Sequence, residues 1–346
     1  MRDRLEVALV GFGLAGATFH APLIASTPGL ALRTVVSSDA GKVHAAYPQA
    51  RVVADAEAAF ADPAIDLVVV AAPNDAHAAL ARAALAAGKH VVVDKPFALD
   101  LAQATAVVEQ AARARRLVSV FQNRRWDSDF LTLRALIAAG RLGDIAEFHS
   151  HFDRYRPQVA DRWREHDLPG SGLWFDLGPH LLDQALRLFG PPQAVLADLG
   201  RQREGAKADD YFHVLLRYPR LRVHLHAGSL VPGSGLRFAV HGTRASFLKH
   251  GMDAQEEALR RGVAPGGAGW GVDPRPGELH IPAAAGALVE KVIGPNGDYG
   301  AYYRAVHAAI VRGEPLPVTP AEALEVMALI ERAVRSSVER RELQSG

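Results

Sequence analysis

The stretch Val7-Ala8-Leu9-Val10-Gly11-Phe12-Gly13-Leu14-Ala15-Gly16 decides the fold of this chain. Its glycines fit the pattern G-x-G-x-x-G, after an apolar run typical of a buried strand and at the start of a helix-like stretch reaching about residue 26. In that setting Gly11 allows a tight turn, Gly13 lets a pyrophosphate approach the backbone, and Gly16 lets helix and strand pack closely. The free N–H groups at the helix start attract phosphates. We therefore predict a dinucleotide site here, with an ordinary glycine-rich turn as the alternative. The predicted cofactor contacts in it are Gly11, Phe12, Gly13, Leu14, Ala15 and Gly16.

Outward from this turn, apolar runs alternate with helix-like stretches over the first third of the chain. The further strand-like runs are residues 30–36, 66–71, 89–93 and 117–121, with alanine-rich helical stretches at 76–87 and 100–115. Continuous Val/Leu/Ile strands separated by helices indicate a parallel sheet covered on both faces. Right-handed crossovers make such a sheet doubly wound. We predict an α/β Rossmann domain over residues 1–124.

The pattern changes after about residue 125. One helix-like stretch, 130–139, precedes runs in which apolar and polar residues alternate, at 145–155, 194–199, 210–218, 221–229 and 236–241. Such alternation is typical of antiparallel strands with one face not covered by the core. Residues 250–298 are rich in glycine and proline and are interpreted as a long excursion, followed by helices at 299–312 and 320–341. We predict an α+β domain over residues 125–346 for substrate binding and oligomerisation. It is an open, mostly antiparallel sheet backed by helices, with the C-terminal helices packing back toward the first domain.

Composition excludes several classes of protein. The 346 residues carry 39 Lys and Arg against 38 Asp and Glu, a net charge of +1, which argues against a nucleic-acid binder that works by bulk charge. Cysteine is absent, so thiolate nucleophiles and cysteine-ligated metal sites are excluded. We see no leader and no apolar stretch near the roughly 18 residues of a membrane span. We expect a cytoplasmic protein without membrane or nucleic-acid partners.

The end of the second strand bears on which dinucleotide binds. An NAD site usually has an acidic residue there for the ribose 2′-hydroxyl, but this strand ends in Ser37 and Ser38, with Lys42 four residues on. Hydroxyl donors and a cation suit a 2′-phosphate. Asp39 leaves two possibilities, because it is structural as a helix N-cap and favours NAD if it turns inward. We predict NADP, with NAD as the less favoured cofactor.

Asp94-Lys95-Pro96 follows the apolar strand Val91-Val92-Val93. Ligands of open α/β sheets bind outside the carboxyl ends of the strands, so Lys95 is placed to reach a reacting group. Pro96 fixes the local backbone and makes a cis bond possible. A solvated lysine in a turn is the alternative.

A second candidate element is Asp176-Leu177-Gly178-Pro179-His180, within a helix-like stretch that Gly190 ends. Asp176 and His180 are four residues apart, which places them on one face if both are helical. Pro179 is comfortable only in a first turn, so we expect the helix to begin close to it. The alternative is that Asp176 is only the N-cap and His180 is a buried structural histidine.

Taken in order, these elements resemble the glucose–fructose oxidoreductase / inositol dehydrogenase / MocA family over almost the whole chain. The segment Pro73-Asn74-Asp75-Ala76-His77 adds to the resemblance. The segments at 123–129, 161–164 and 181–184 look closest to the branch with the NADP-dependent scyllo-inositol dehydrogenases. Two positions depart from the family pattern: Asp94 stands where many members have Glu, and Pro179 where an ordinary residue is usual.

The resemblance implies a catalytic set of Lys95, Asp176 and His180. It also implies dimers or tetramers formed through the open face of the C-terminal sheet. The further cofactor contacts that it implies are Pro73, Asn74, His77, Asp94, Lys95, Pro96 and Asn123.

The expected reaction moves a hydride between a secondary alcohol of a cyclic polyol or sugar and the nicotinamide. We expect His180 to remove the hydroxyl proton, Lys95 to stabilise the alkoxide and Asp176 to orient the substrate or the imidazole. No metal site is expected, since no ligand set is recognised around the histidine pairs at 149/151 and 224/226. Further candidates for holding a polyol are Asn123, Arg124, Asp153, Tyr155, Arg162 and Trp163. For these the alternative is that the arginines pair with carboxylates and Trp163 is core.

Two other functions stay open. One is a dehydrogenase of the same fold that acts on a dihydrodiol, keto-sugar or imine. The other is a non-catalytic protein that senses dinucleotides, which the presence of Lys95 and His180 disfavours.

Overall fold

The computed structural model describes residues 3–233 and 235–344. The chain divides into two compact units. The first comprises the chain up to Asn123 together with Gln255–Trp270 and Asp298–Met327. The second comprises Arg124–Ala254, Gly271–Gly297 and the chain from Ala328 onward. No helix in the described ranges is long and apolar enough to cross a membrane.

The first unit is built on a parallel sheet of six short, apolar strands. Their bounds are β1 Leu5–Val10, β2 Leu30–Val36, β3 Arg51–Val53, β4 Leu67–Val70, β5 His90–Val93 and β6 Val118–Val120. They lie in the order β3-β2-β1-β4-β5-β6, and every pairing is parallel. β4 is completely buried, as expected of a strand with helices on both faces. The strand order reverses direction between β1 and β4, where doubly wound sheets bind ligands.

Helices connect these strands. The helix after β1 starts at residue 14, passes through a π-helical turn at Gly16–His20 and continues as α1. The α-helices of this unit's first segment are α1 Ala21–Ser26, α2 Ala40–Ala46, α3 Ala56–Phe60, α4 His77–Ala86 and α5 Leu101–Ala114. The later segments add α8 Gln255–Arg260 and α9 Gly300–Arg312. The predicted Rossmann fold is confirmed.

The second unit contains a sheet of nine strands. Their bounds are β7 Ile145–His151, β8 Ala194–Gly200, β9 Tyr211–Arg217, β10 Arg222–Gly228, β11 Leu236–Gly242, β12 Ser246–His250, β13 Gly277–Ala283, β14 Gly286–Val292 and β15 Leu343–Gln344. The order is β14-β13-β12-β11-β7-β10-β9-β8-β15. Only the pairing of β7 with β10 is parallel among these strands. The predicted open, mostly antiparallel sheet is confirmed.

The helices of this unit are α6 Ser128–Ala138, α7 Gly172–Phe189 and the end of α10 Pro320–Glu339. α7 packs on β9 and β10. Burial alternates along β9 and β10, because one set of side chains lies in this core and the other on the opposite face. The face of the sheet that points away from α7 is partly exposed and rich in histidine.

Three details differ from the sequence prediction. The excursion at 250–298 contains β13 and β14, which form a hairpin extending the second sheet. β3 was missed because it has only three residues. Pro179 does not mark the start of a helix, since it lies inside α7, which begins at Gly172.

Candidate functional site

The glycine turn has the geometry that its sequence predicts. Gly11 has a φ of +97°, and a Cβ there would lie 2.5 Å from the carbonyl oxygen of Ala71. A Cβ on Gly16 would lie 2.1 Å from the carbonyl oxygen of Gly11. Intrachain packing therefore requires both glycines. At Gly13 a Cβ would meet nothing in the described chain within 4 Å, so this position leaves open space beside the turn.

The helix start supplies N–H groups at that space. The first bond of the helix runs from the Ala17 N–H to the Gly13 carbonyl at 2.9 Å. The N–H groups of Leu14, Ala15 and Gly16 precede it, where helices bind anions. Phe12 is buried beneath the turn, whereas Gly13 and Leu14 are exposed.

Just after β2, Asp39 takes the first of its two predicted roles, that of a helix N-cap. Its carboxylate accepts the Lys42 N–H at 2.9 Å and caps α2. Ser37 accepts the Asp39 N–H at 3.1 Å, while Ser38 is exposed. The Lys42 ammonium donates to the Phe12 carbonyl at 3.2 Å, so a cation lies against the glycine turn. Asp39 is thus engaged as a structural cap.

Lys95 lies two residues after the end of β5 and is half-buried. The Lys95–Pro96 peptide is cis. The Lys95 N–H donates to Oδ1 of its neighbour Asp94 at 2.8 Å, which fixes the backbone at this point. Lys95 therefore stands at the carboxyl edge of the sheet, as its position in the sequence predicts.

The buried side chain of His77 contacts the backbone of this loop. Its Nδ1 lies 2.8 Å from the Pro96 carbonyl oxygen and its Nε2 lies 2.9 Å from that of Ala72. Burial lowers the pKa of His77, and the nearby Asp94 carboxylate partly opposes this. His77 thus joins the loop after β4 to the loop after β5. Asn74 is buried in the same turn, and Pro73 is exposed beside it.

Two buried polar side chains, Tyr303 and His20, lie in a row that ends at Asp94. The His20 Nδ1 lies 2.6 Å from the Tyr303 hydroxyl, and its Nε2 lies 3.6 Å from Oδ1 of Asp94. Burial raises the pKa of Asp94, but the nearby His20 ring and the charge of Lys95 outweigh this effect, so the net pKa is lowered. Sequence reasoning missed His20 and Tyr303, which are 283 residues apart.

α7 carries the second half of the predicted catalytic set. Ser171 precedes the helix, and Asp209 caps it, since its carboxylate accepts the Trp174 N–H at 2.6 Å. Asp176 is therefore not the N-cap. It lies within the helix one turn before His180, so both occupy the same face. His180 is buried, and Asp176 keeps about a quarter of its side chain exposed, at 23%.

Two arginines approach Asp176. The Arg164 Nε lies 3.6 Å from Oδ1, and the Arg154 Nη1 lies 4.0 Å from Oδ2. The Arg164 guanidinium also stacks at 4.5 Å over the ring of half-buried Trp163. Asp176, Arg154, Arg164 and Trp163 thus form a partly exposed group of charged and aromatic side chains. Of these four residues, only Asp176 and Trp163 are predicted from the sequence.

The segment that holds Arg164 is anchored by an arginine that the sequence analysis also missed. Arg203 pairs with Glu165 at 2.9 Å and with Asp210 at 2.8 Å. It also donates to the carbonyls of Arg156 and Gln158, at 3.2 and 3.1 Å. These contacts tie the irregular chain before α7 to the start of β9, so the group around Asp176 rests on a fixed segment.

Other predicted substrate contacts have different surroundings. Arg124 is buried and pairs with Asp127 at 3.2 Å, and Arg162 pairs with Glu165 at 2.9 Å. Both follow the alternative in which the arginines pair with carboxylates. Asn123 is buried at the end of the first segment of the first unit, and Tyr155 is 59% exposed. The two carboxylate oxygens of Asp153 contact the imidazole groups of His151 and His226 and accept the Gly228 N–H. Their roles in substrate binding stay predictions.

Comparison with known proteins identifies the family. Residues 5–122 match the model of the oxidoreductase family's NAD-binding Rossmann fold, and residues 134–344 match that of its C-terminal alpha/beta domain, both named for Gfo/Idh/MocA. The chain is 49% identical over 340 residues to the uncharacterized oxidoreductase YdgJ of Escherichia coli, with 98% of each chain covered. It is 40% identical to the scyllo-inositol 2-dehydrogenase (NADP(+)) IolW of Bacillus subtilis, covering 98% of this chain and 95% of that one.

A solved structure agrees with this result. The putative oxidoreductase YPO2259 of Yersinia pestis superposes with a TM-score of 0.96 at 49% identity, over 100% of this chain and 98% of that one. The glycine turn, the Lys95 loop and α7 thus lie in a two-domain architecture shared over the full length. The chain belongs to the Gfo/Idh/MocA oxidoreductase family and is an oxidoreductase with an NAD-binding Rossmann domain.

Proposed function

We propose that this oxidoreductase transfers a hydride between a secondary alcohol of a cyclic polyol or sugar, of the scyllo-inositol type, and NADP. The observation that carries the proposal is the placement of Asp176 and His180 one turn apart on α7, with Asp176 partly exposed beside Arg164. A carboxylate flanked by arginines offers acceptors and donors to neighbouring hydroxyls. The name of the relative IolW supports the substrate class.

The glycine turn fits a dinucleotide. Gly11 and Gly16 are required by the packing of the chain, but Gly13 is not, and the space beside Gly13 faces the N–H groups that start the helix. An anionic group placed there meets donors and the positive end of the helix. When bound, a nicotinamide cofactor supplies a carbon that accepts or donates hydride.

We assign NADP because of the groups at the end of β2. Asp39 is engaged as the cap of α2, so it does not offer its carboxylate in the way that favours NAD. Ser37, exposed Ser38 and the Lys42 ammonium supply hydroxyls and a positive charge, which suit a phosphate. The preference of IolW, as its name states it, points the same way.

In the proposed reaction the chain moves one proton and stabilises one charge. His180 takes the proton of the reacting hydroxyl, since an imidazole is a suitable base near neutral pH. The Lys95 ammonium stabilises the alkoxide as it forms. Asp176 accepts a hydrogen bond from a substrate hydroxyl and keeps the ring oriented. His77 and Asp94 hold the backbone on both sides of Lys95.

A screen of purified protein tests the proposal. Scyllo-inositol, myo-inositol, common hexoses and a cyclic dihydrodiol are incubated with NADP⁺ or NAD⁺, and the absorbance of the reduced cofactor is followed. We expect turnover of a cyclic polyol with higher kcat/KM for NADP⁺. Tight NADPH binding without turnover of any substrate would instead support a dinucleotide sensor, and turnover of the dihydrodiol alone would change the substrate class.

Two substitutions test the roles. Lys95→Ala and His180→Ala are each expected to lower kcat by at least about a hundredfold, the usual range for a catalytic acid or base, while NADPH affinity changes little. Lys207→Ala and His250→Ala remove the same residue types from exposed positions and serve as matched controls. Turnover near wild type in either catalytic variant would refute the assignment.

The proposed oligomer is a homodimer or homotetramer formed through the open face of the second sheet. Along β7, β9 and β10 this face bears half-buried polar side chains. The side chains on the other face of these strands are mostly buried. Light scattering on the purified chain measures the oligomer number. A monomer at micromolar concentration would contradict this part of the proposal.

A further inference from the structure

The open face of the second sheet carries a cluster of histidines that the proposed reaction does not use. His149 and His151 lie on β7, His224 and His226 on β10, and His213 on β9. His151 is the register partner of His226, and His226 is the partner of His213. Imidazoles are therefore neighbours across three strands.

One carboxylate enters this cluster. Asp153 follows β7, and its Oδ2 lies 3.3 Å from Nδ1 of His151 while its Oδ1 lies 3.3 Å from Nε2 of His226. One ligand atom from each of these three residues lies within 4.8 Å of the others. Among the described residues, this is the group of histidines and acids that meets such a criterion.

We propose that His151, Asp153 and His226 form a binding site for a divalent transition-metal ion, with Zn²⁺ as the first candidate. The ligand types suit Zn²⁺, which takes imidazole nitrogen and carboxylate oxygen. One ligand atom from each residue lies within 4.8 Å of the other two, so small side-chain rotations bring them to the roughly 3.3 Å spacing of a tetrahedral site with bonds of about 2.0–2.1 Å.

The backbone holds Asp153 in place before any ion arrives. The Gly228 N–H donates to its Oδ1 at 3.0 Å. On either side of it, the Phe152 N–H donates to the His226 carbonyl at 2.9 Å and the Arg154 N–H donates to the Gly228 carbonyl at 3.0 Å. The carboxylate is thus fixed beside β10, and little ordering is needed for binding.

The site is partly open within a single chain. The side chains of His151 and His226 are 21% and 18% exposed there, and they lie on the face through which we propose that chains associate, so an ion binds at or beside that interface. Three protein ligands leave a fourth position for water. An ion here joins the carboxyl ends of β7 and β10, two parallel strands from distant parts of the chain.

Calorimetry with Zn²⁺ on untagged, chelator-treated protein tests the site. We expect one ion per chain with a dissociation constant of about 1 μM or tighter, together with a rise in Tm on adding Zn²⁺. With Co²⁺ we expect the intense visible absorption of a four-coordinate ion. Failure of the wild-type protein to bind one Zn²⁺ at about 100 μM would overturn the proposal.

Variants separate this site from the rest of the histidine cluster. His151→Ala with His226→Ala, and Asp153→Asn alone, are each expected to weaken Zn²⁺ binding at least about a hundredfold. The asparagine keeps an oxygen for the Gly228 N–H, so the fold is preserved. His149→Gln with His224→Gln removes two stacked rings 4.4 Å apart on the same two strands and is the matched control. Equal loss of binding in this control would refute the assigned ligands.

Discussion

The Nδ1 of His20 lies 2.6 Å from the hydroxyl of Tyr303, which links the helix after the glycine turn to α9. Through its other nitrogen, 3.6 Å from Asp94, the same ring reaches the residue before Lys95. Lys95, the proposed catalytic lysine, thus follows a carboxylate whose ionised form is stabilised by a neighbouring side chain of the first unit.

Asp94→Asn tests that support. Because the pKa of Asp94 is lowered in the folded chain, its ionised form stabilises the fold above about pH 4, the unfolded value, and this contribution is lost as pH falls through the lower folded pKa. We expect the variant to lose about 2 kcal/mol of unfolding free energy at pH 7, since the asparagine keeps an acceptor for the Lys95 N–H but removes the negative charge that faces His20 and Lys95. Urea unfolding at pH 7 and pH 3 measures the difference. A loss that is equal at both values would contradict the charge argument.

Asp209→Asn is expected to act in the opposite direction. Burial raises the pKa of Asp209 to about 6, so its contribution to stability is fully present below about pH 4 and is lost as pH rises through about 6. The asparagine still accepts the Trp174 N–H without an ionisation penalty. We expect the variant to gain up to about 3 kcal/mol relative to wild type between pH 4 and pH 7. A gain that does not change with pH would show that ionisation of Asp209 is not the cause.

Gly13→Ala and Gly16→Ala separate binding from folding. The methyl group of the first meets no atom of the described chain, so we expect an unchanged Tm and at least about tenfold weaker NADPH binding. The methyl group of the second overlaps the Gly11 carbonyl, so we expect a marked fall in Tm. Fluorescence titration and thermal unfolding read the two effects. Normal NADPH affinity in Gly13→Ala would mean that no phosphate lies beside this turn.

Lys42→Ala tests the cofactor preference. Loss of one charge-assisted contact to a 2′-phosphate is expected to weaken NADPH binding about tenfold and to leave NADH binding nearly unchanged. Arg51→Ala, an exposed cation on the neighbouring strand β3, is the control. Equal weakening for both cofactors would show that Lys42 acts through the Phe12 carbonyl and the shape of the turn instead.

The first unit could be predicted largely from sequence because its signals are local. Both kinds of signal can be recognised within ten residues: a completely apolar strand such as β4, and a glycine pattern between a strand and a helix. β3 was missed because three residues give too short a pattern, and the β13–β14 hairpin because its glycines and prolines hid its alternation.

Side-chain partners from distant segments could not be predicted. Arg203 contacts Glu165 and Asp210 because of the tertiary fold, which no local sequence pattern indicates. Asp153 contacts His226 only because β7 and β10 are parallel neighbours. Pro179 misled the helix prediction, since a packed helix such as α7 tolerates the loss of one backbone hydrogen bond. The one-turn spacing of Asp176 and His180, by contrast, was readable from the sequence.

The division of the chain has a consequence for its synthesis. Phe121, just after β6, packs against Tyr302 and Tyr303 at ring distances of 5.0 and 5.7 Å. A ribosome that has released only the first 124 residues has not yet made these two rings, so the nascent sheet exposes an aromatic surface until some 180 further residues have emerged. Fragments that end near residue 124 will therefore need a chaperone or will aggregate, although they contain every strand of the first sheet.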